Sequence, residues 1–235
     1  MQAIIIAGGK GTRMSSISTT IPKLLLPLNN KLLIDYSIEH LIKNGCDNII
    51  ICCGHLGDKI KEYIDKKDYG IPVKISTESK PLGTAGALHL IKDLLEDEFL
   101  ILYGDIFTTI NLRELIQFHQ RKKADATLVL HSSDHPQDST VVEIDKENKL
   151  LTFIEKPGEN WEKYGNLTKT SIYVLKKGVL DFIPKEIAVD FSKDVFPKML
   201  KKGKKLFGYV TEEYAKDMGT PQRYQEVENY ITKNF

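Results

Sequence analysis

The chain has 235 residues and is 41% hydrophobic, enough apolar side chain for one sizeable core and too little length to demand two domains. Lys and Arg number 33 against 32 Asp and Glu, so a net charge of +1 gives no reason to expect nucleic acid or an anionic membrane as partner. No apolar run reaches the ~20 residues of a membrane span, and Met1-Gln2-Ala3 lacks the basic flank of a secretory signal; a soluble, cytoplasmic single domain over residues 1–235 is expected.

In chain order, strand-length apolar runs alternate with stretches of helical period, the pattern of an α/β fold with a mostly parallel sheet. Strands are expected at Gln2 to Ala7, Asn48 to Cys53, Val73 to Ser76 and Phe99 to Tyr103, with helices at Leu33 to Asn44, Leu56 to Lys66 and Ala85 to Leu95. In the second half, Ala126 to His131, Thr140 to Ile144, Leu150 to Ile154 and Ser171 to Leu175 read as short strands between polar turns, hence antiparallel additions to the sheet. Val179 to Ile183, Ser192 to Lys202 and Pro221 to Lys233 read as helices, the last with Thr220 as N-cap and Pro221 in the first helical position. Cys46, Cys52 and Cys53 have no metal-ligand spacing and read as buried thiols.

The run Ala3 to Ala7 leads into Gly8-Gly9-Lys10-Gly11-Thr12-Arg13. Glycines here let backbone N–H groups converge on phosphate oxygens, and Lys10 and Arg13 oppose negative charge. The P-loop pattern fails, because the position where its first glycine should stand is Ile4; the dinucleotide fingerprint fails because its third glycine falls on Met14. Taken alone, the loop reads as well as a simple tight turn.

With Pro22-Lys23 after it, the segment Ala7 to Arg13 resembles the signature of the sugar-1-phosphate nucleotidyltransferases. The resemblance implies a Rossmann-like three-layer αβα fold with a mixed, mostly parallel central sheet, whose N-terminal half binds nucleotide and whose C-terminal half binds sugar phosphate. It assigns Ala7, Gly8, Gly9, Gly11 and Thr12 to the nucleotide, and Arg13 and Lys23 to charge on the triphosphate and the attacking phosphate. The family commonly has Leu at the position of Met14 and Pro at that of Leu24.

Further segments match the same family. Glu78-Ser79-Lys80-Pro81-Leu82-Gly83-Thr84 resembles its base-recognition segment, with Glu78 reading the base edge and Pro81, Gly83 and Thr84 beside it. A carboxylate only accepts hydrogen bonds, and the paired donors of guanine suit it better than the mixed edge of thymine or uracil, so GTP is expected. Gly104-Asp105 and Lys216-Asp217 match the two segments whose aspartates hold Mg2+, which needs just one or two protein carboxylates. Glu155-Lys156-Pro157 resembles the sugar-binding strand end, with Gly104, Glu155 and Lys156 meeting the sugar phosphate. The attacking phosphate is largely a dianion at pH 7, so no general base is required and the six histidines show no triad-like grouping.

The later motifs, His135 to Ser139, Glu155 to Pro157 and Gly165 to Thr168, look most like D-glycero-D-manno-heptose 1-phosphate guanylyltransferases. Lys169 and Ser171 depart from that pattern, standing where the family usually has Asn and Gly. Ending at Phe235, the chain leaves no room for the C-terminal β-helix of many mannose and glucosamine relatives. The alternatives are a mannose 1-phosphate guanylyltransferase, a dTTP- or UTP-using hexose 1-phosphate enzyme, and a non-catalytic nucleotide-sugar sensor. An NAD-dependent dehydrogenase is disfavoured by Met14. The family also allows a homo-oligomer, although nothing in the sequence identifies an interface.

Overall fold

The structure, a computed structural model, describes residues 1–9 and 20–235; Lys10 to Thr19, and with them the assignments of Gly11, Thr12 and Arg13, lie outside the described residues. β1 (Gln2–Ala7) has Ala3, Ile4 and Ile5 wholly buried, as a strand covered on both faces must. A small hairpin, β2 (Pro27–Leu28) and β3 (Lys31–Leu32), precedes helix α1 (Leu33–Lys43), which returns the chain to β4 (Asn48–Cys53). Helix α2 (Gly57–Ile64) leads to β5 (Val73–Thr77); the short α3 (Gly83–Gly86) and a 3-10 turn over Ala87–Ile91 lead to β6 (Glu98–Tyr103). One continuous helix was expected over this last stretch, but Leu88 and Ile91 are buried three residues apart, the spacing a 3-10 turn stacks on one side.

After β6 come β7 (Ile106–Thr108), helix α4 (Leu112–Lys122) and β8 (Ala126–Ser132), then β9 (Thr140–Ile144), β10 (Leu150–Glu155) and β11 (Leu167–Lys176). Helix α5 (Phe196–Lys201), β12 (Leu206–Val210), β13 (Ala215–Asp217) and α6 (Pro221–Asn234) complete the chain. The expected helix from Ser192 begins instead as a wide turn in which the Phe196 N–H donates to the Phe191 carbonyl, five residues back. Pro197 has no N–H with which to continue the tighter ladder. At α6 the Thr220 hydroxyl accepts from the Arg223 N–H at 3.3 Å, so the cap stands where the sequence places it.

The main sheet runs β5-β4-β1-β6-β11-β8-β12, with the β9–β10 hairpin joined to the start of β11. β5, β4, β1 and β6 are mutually parallel, β11 is antiparallel to β6 and to β8, and β12 is parallel to β8. The second half therefore adds antiparallel strands as expected, except at β12. Because β1 has β4 on one side and β6 on the other, the chain reverses its direction of sheet growth there, which opens a crevice at the carboxyl ends of these strands.

Two apolar cores sandwich the sheet. Ile34, Ile38, Ile60 and Leu115 from α1, α2 and α4 cover one face, and Leu88, Phe191, Phe196 and Met199 cover the other, giving the expected three layers. A satellite core of Leu28, Leu33, Phe107, Met218, Val227 and Ile231 lies under α6. Among the described residues no helix is long and apolar enough to cross a membrane.

His119 of α4 is fully buried; its Nδ1 lies 2.8 Å from the Thr127 hydroxyl and its Nε2 has no hydrogen-bond partner. Glu98, 3.9 Å from Nε2, is too far for a hydrogen bond. Burial, aided by the charge of Lys176, lowers the His119 pKa from 6.5 to about 4. Between those values the unfolded chain binds a proton that the native protein refuses, so stability is lost as pH falls below 6.5. The loss from this group is about 2 kcal/mol at pH 5. Thermal unfolding at pH 7 and pH 5 is expected to show a smaller acid shift in His119→Leu than in wild type; parallel shifts would contradict the assignment.

Candidate active site

The site assembles at the carboxyl ends of β1, β4, β5 and β6. Gly8 and Gly9 follow β1, Gly54 follows β4, Glu78 follows β5, and Gly104-Asp105 follows β6. The Glu78 N–H donates to the Cys53 carbonyl at 2.9 Å, and its Oε2 accepts from the Leu82 N–H at 3.1 Å. A Cβ on Gly8 would lie 2.6 Å from Glu78 Oε1, and one on Gly54 2.7 Å from the same atom; bare backbone at both positions is what admits the carboxylate. Burial raises the Glu78 pKa above its ordinary 4.5, with the Leu82 hydrogen bond opposing the rise.

Pro81 is exposed at the rim, while Gly83 takes a positive φ of 74° and would place a Cβ 2.5 Å from the Val189 carbonyl oxygen. No residue with a side chain fits that close approach. The Ala85 N–H donates to the same carbonyl at 2.9 Å, and the Thr84 hydroxyl donates to Asp190 Oδ2 at 2.9 Å. Thr84 is thus tied into the loop before α5, which anchors the segment beside Glu78.

Lys23 opens a 3-10 turn, Lys23–Leu25, whose Leu24 is buried against Gly104. That packing fixes the backbone, and Lys23 Nζ donates to Asp105 Oδ2 at 3.0 Å. Both side chains stay partly exposed, 21% and 30%, so a ligand can reach them. Asp217 arrives from the far end of the chain by a ladder: β13 pairs antiparallel with β7, Asp217 faces Ile106, and the Met218 N–H donates to the Asp105 carbonyl at 2.7 Å. Two aspartates 112 positions apart thereby come close in the backbone, Asp217 closing β13 and Asp105 in the turn just before β7. Arg223, in the first turn of α6, donates from Nη1 to both carboxylate oxygens of Asp217, at 2.8 and 2.6 Å.

Glu155 and Lys156 lie farther out. Glu155 Oε2 accepts from the Thr140 hydroxyl at 2.8 Å, and Lys156, at a positive φ of 44°, donates its N–H to the Ser139 carbonyl at 3.1 Å. Both are exposed, and among the described residues no hydrogen bond or ion pair joins them to Lys23, Asp105 or Asp217. The nucleotide-side residues and the aspartates therefore gather at the carboxyl ends of neighbouring strands, while Glu155 and Lys156 make their contacts with the β9 side instead.

A family model described as nucleotidyl transferase matches residues 2–234. The chain belongs to this family. It is 29% identical to a D-glycero-alpha-D-manno-heptose 1-phosphate guanylyltransferase of Aneurinibacillus thermoaerophilus, over 98% of the chain and the whole of that protein. It is 30% identical to a UTP–glucose-1-phosphate uridylyltransferase of Synechocystis, over 100% of the chain but 64% of the relative, and 31% identical to a mannose-1-phosphate guanyltransferase of Pichia angusta, over 95% and 62%. The chain thus spans less than two thirds of the length of the last two. The solved structure of HddC from Yersinia pseudotuberculosis superposes with a TM-score of 0.82 at 25% identity, covering 98% of this chain and 99% of that one.

Several residues of this nucleotidyl transferase site escape sequence reading. Gly54 and Asp190 carry no local motif, and their roles appear only when Glu78 and Thr84 are placed against them. Arg223 has a visible signal, a cation six positions after Asp217 in a first helical turn, where a cation is unfavourable unless paired. His131, at the end of β8, has its pKa lowered by burial and by Lys216, with Asp134 and Asp217 opposing; nothing in its sequence neighbourhood marks it.

Proposed function

We propose that this nucleotidyl transferase condenses GTP with a sugar 1-phosphate, releasing pyrophosphate and leaving an NDP-sugar. The observation that carries the reading is the β7–β13 ladder, which brings the Asp217 backbone alongside that of Asp105, whose carboxylate meets the Lys23 ammonium at the end of the strand next to β1 and Gly8. Among the sugars, the full-length similarity to a heptose 1-phosphate guanylyltransferase favours a manno-configured substrate, with D-glycero-D-manno-heptose 1-phosphate as its reference member.

The reaction is an in-line attack of a sugar-phosphate oxygen on the α-phosphorus of the nucleotide, with pyrophosphate leaving opposite. The nucleophile is already largely a dianion at pH 7, so the difficulty is bringing two anions together, and fixed cations are what the site must supply. Lys23 supplies one beside Asp105. Arg13 and Lys156 are proposed as two more, Lys156 from the sugar side. Asp105 and Asp217 are a hard-oxygen donor pair suited to Mg2+, which when bound supplies charge neutralisation between the phosphates. Glu78 is proposed to accept from the guanine edge through the oxygen that faces Gly8.

A coupled pyrophosphate assay crossing GTP, UTP, dTTP and CTP with mannose, glucose and heptose 1-phosphates tests the proposal. GTP is expected to be used fastest; faster use of UTP or dTTP would overturn the reading of Glu78. A stability measurement adds an independent check. The native protein holds the Glu78 proton more tightly than the unfolded chain does, so the contribution is full below 4.5 and is lost as pH rises through the raised native value. Glu78→Gln is therefore expected to raise the melting temperature of the ligand-free protein at pH 7 while weakening guanine-nucleotide binding. A lower melting temperature with unchanged affinity would contradict both.

A further inference from the structure

The segment beside Glu78 is braced by a stretch of chain 106 positions further on. The Val189 N–H donates to the Leu82 carbonyl at 2.9 Å, and the Ala85 N–H donates to the Val189 carbonyl at 2.9 Å. The Thr84 hydroxyl donates to Asp190 Oδ2 at 2.9 Å and accepts from the Phe191 N–H at 3.0 Å. Val189 and Phe191 are buried, and Phe191 packs against Tyr173 at 5.6 Å and Phe196 at 5.4 Å. The brace is therefore fixed to the core, while residues 184–188 ahead of it are exposed.

Asp190 has two tasks in this arrangement. Its Oδ1 accepts from the Ser192 and Lys193 N–H groups at 2.8 and 3.1 Å, a cap for the turn that follows, and Asn caps a turn as well as Asp does. Oδ2 takes no part in that cap and meets Thr84 instead. Because the Thr84 oxygen already accepts from Phe191, its proton needs an acceptor, which a carboxylate oxygen is and an amide nitrogen is not. The cap accounts for Asn or Asp at this position; the bond to Thr84 accounts for the acid.

The residue steadied by the brace is Leu82. Its carbonyl is held by Val189, and its N–H donates to Glu78 Oε2 at 3.1 Å. Among the described residues Glu78 Oε1 accepts from nothing and faces the bare backbone of Gly8 and Gly54. One N–H thus orients the carboxylate, and the 189–191 stretch fixes where that N–H stands. A carboxylate free to turn would have to be ordered at every binding event, at a cost in affinity.

Resting on the reading of Glu78 given above, we propose that Asp190 is a positioning residue for the base of the nucleoside triphosphate: through Thr84 it fixes the Gly83 turn and Leu82, and through the Leu82 N–H it keeps Glu78 turned toward the base edge. Among the described residues its hydrogen bonds lead to Thr84 and to its own turn, and none leads to Lys23, Asp105 or Asp217. Its effect therefore falls on affinity for the base and leaves the chemical step alone.

The test measures pyrophosphate release by the full chain with Mg2+ and the triphosphate and sugar 1-phosphate that wild type uses fastest, together with inhibition by inorganic tripolyphosphate, which carries the phosphates without a base. Asp190→Asn keeps the cap and is expected to raise the triphosphate KM roughly tenfold, the scale of one hydrogen bond to a charged group. The tripolyphosphate inhibition constant, the sugar-phosphate KM and kcat should all stay within about twofold of wild type, the scale expected of a group outside the reacting centre. Thr84→Val is expected to match Asp190→Asn, Thr84→Ser to retain wild-type behaviour, and the Asp190→Asn/Thr84→Val double variant to be no worse than either single one, since both break the same bond. Should Asp190→Asn fail to fold, the Thr84→Val and Thr84→Ser pair makes the same comparison. An unchanged triphosphate KM in Asp190→Asn overturns the proposal, as does a loss shared equally by triphosphate, tripolyphosphate and sugar phosphate, or a fall in kcat alone. Glu78→Gln in the same assay separates the two readings: if it weakens triphosphate binding and Asp190→Asn does not, only the role of Asp190 falls. A Glu78→Gln variant with an unchanged triphosphate KM, or a wild-type chain that releases no pyrophosphate, sinks the reading of the site and this inference with it.

Discussion

Asp105→Asn and Asp217→Asn are each expected to cut pyrophosphate release by at least about 10³-fold, the scale on which removing charge stabilisation from a reacting phosphate acts. Both substitutions keep the shape of the side chain. At position 105 the backbone carbonyl still accepts from Met218, and an amide oxygen can still accept from Lys23, so circular dichroism and melting temperature should stay near wild type. At position 217 the bidentate bond to Arg223 is weakened, but that pair is 36% and 40% exposed, and exposed pairs are worth roughly 0–1 kcal/mol. Arg223→Gln separates the two roles of Asp217: it removes the clamp, leaves both carboxylates, and should cost far less activity than Asp217→Asn. Near-normal release by both aspartate variants would remove the divalent-ion assignment.

Lys23→Ala is expected to lower kcat by roughly 10²–10³-fold with a smaller change in KM, because charge at this place is needed most as two anions close on each other. The fold should survive: Leu24 anchors the turn against Gly104, and the ammonium itself is not a core group. Lys23→Arg is expected to rescue only in part, since the longer planar guanidinium cannot occupy the place of a point charge 3.0 Å from Asp105 without moving the pinned backbone. Loss of no more than about fivefold in Lys23→Ala, the size of an exposed ion pair, would make Lys23 a structural partner of Asp105.

The strands of the first half were legible because burial on both faces leaves uninterrupted β-branched runs; β1 and β4 occupy the spans that the sequence marks. Helix α4 was not. Only Leu112, Leu115 and His119 of it are buried, and a stripe that narrow in a charged segment gives a weak period. β7 and β13 are three residues each, too short for alternation to register, and β12 carries Gly208 in its middle. At the site, residue types near Gly8 announced close backbone approach, but the group that approaches is Glu78, seventy residues away. Lys23 and Asp105 could be nominated separately, while their 3.0 Å contact is a product of tertiary packing through Leu24.

The ribbon of β7 and β13 makes gripping a nucleotide and reacting with it separable properties. The segment of Glu78 and Thr84 is held by contacts that reach no further than Phe191, whereas Asp217 is delivered by a stretch laid down after residue 214 and steadied by the terminal helix. A protease cut ahead of that stretch would leave a molecule that still captures its nucleotide, competes for it, and turns nothing over.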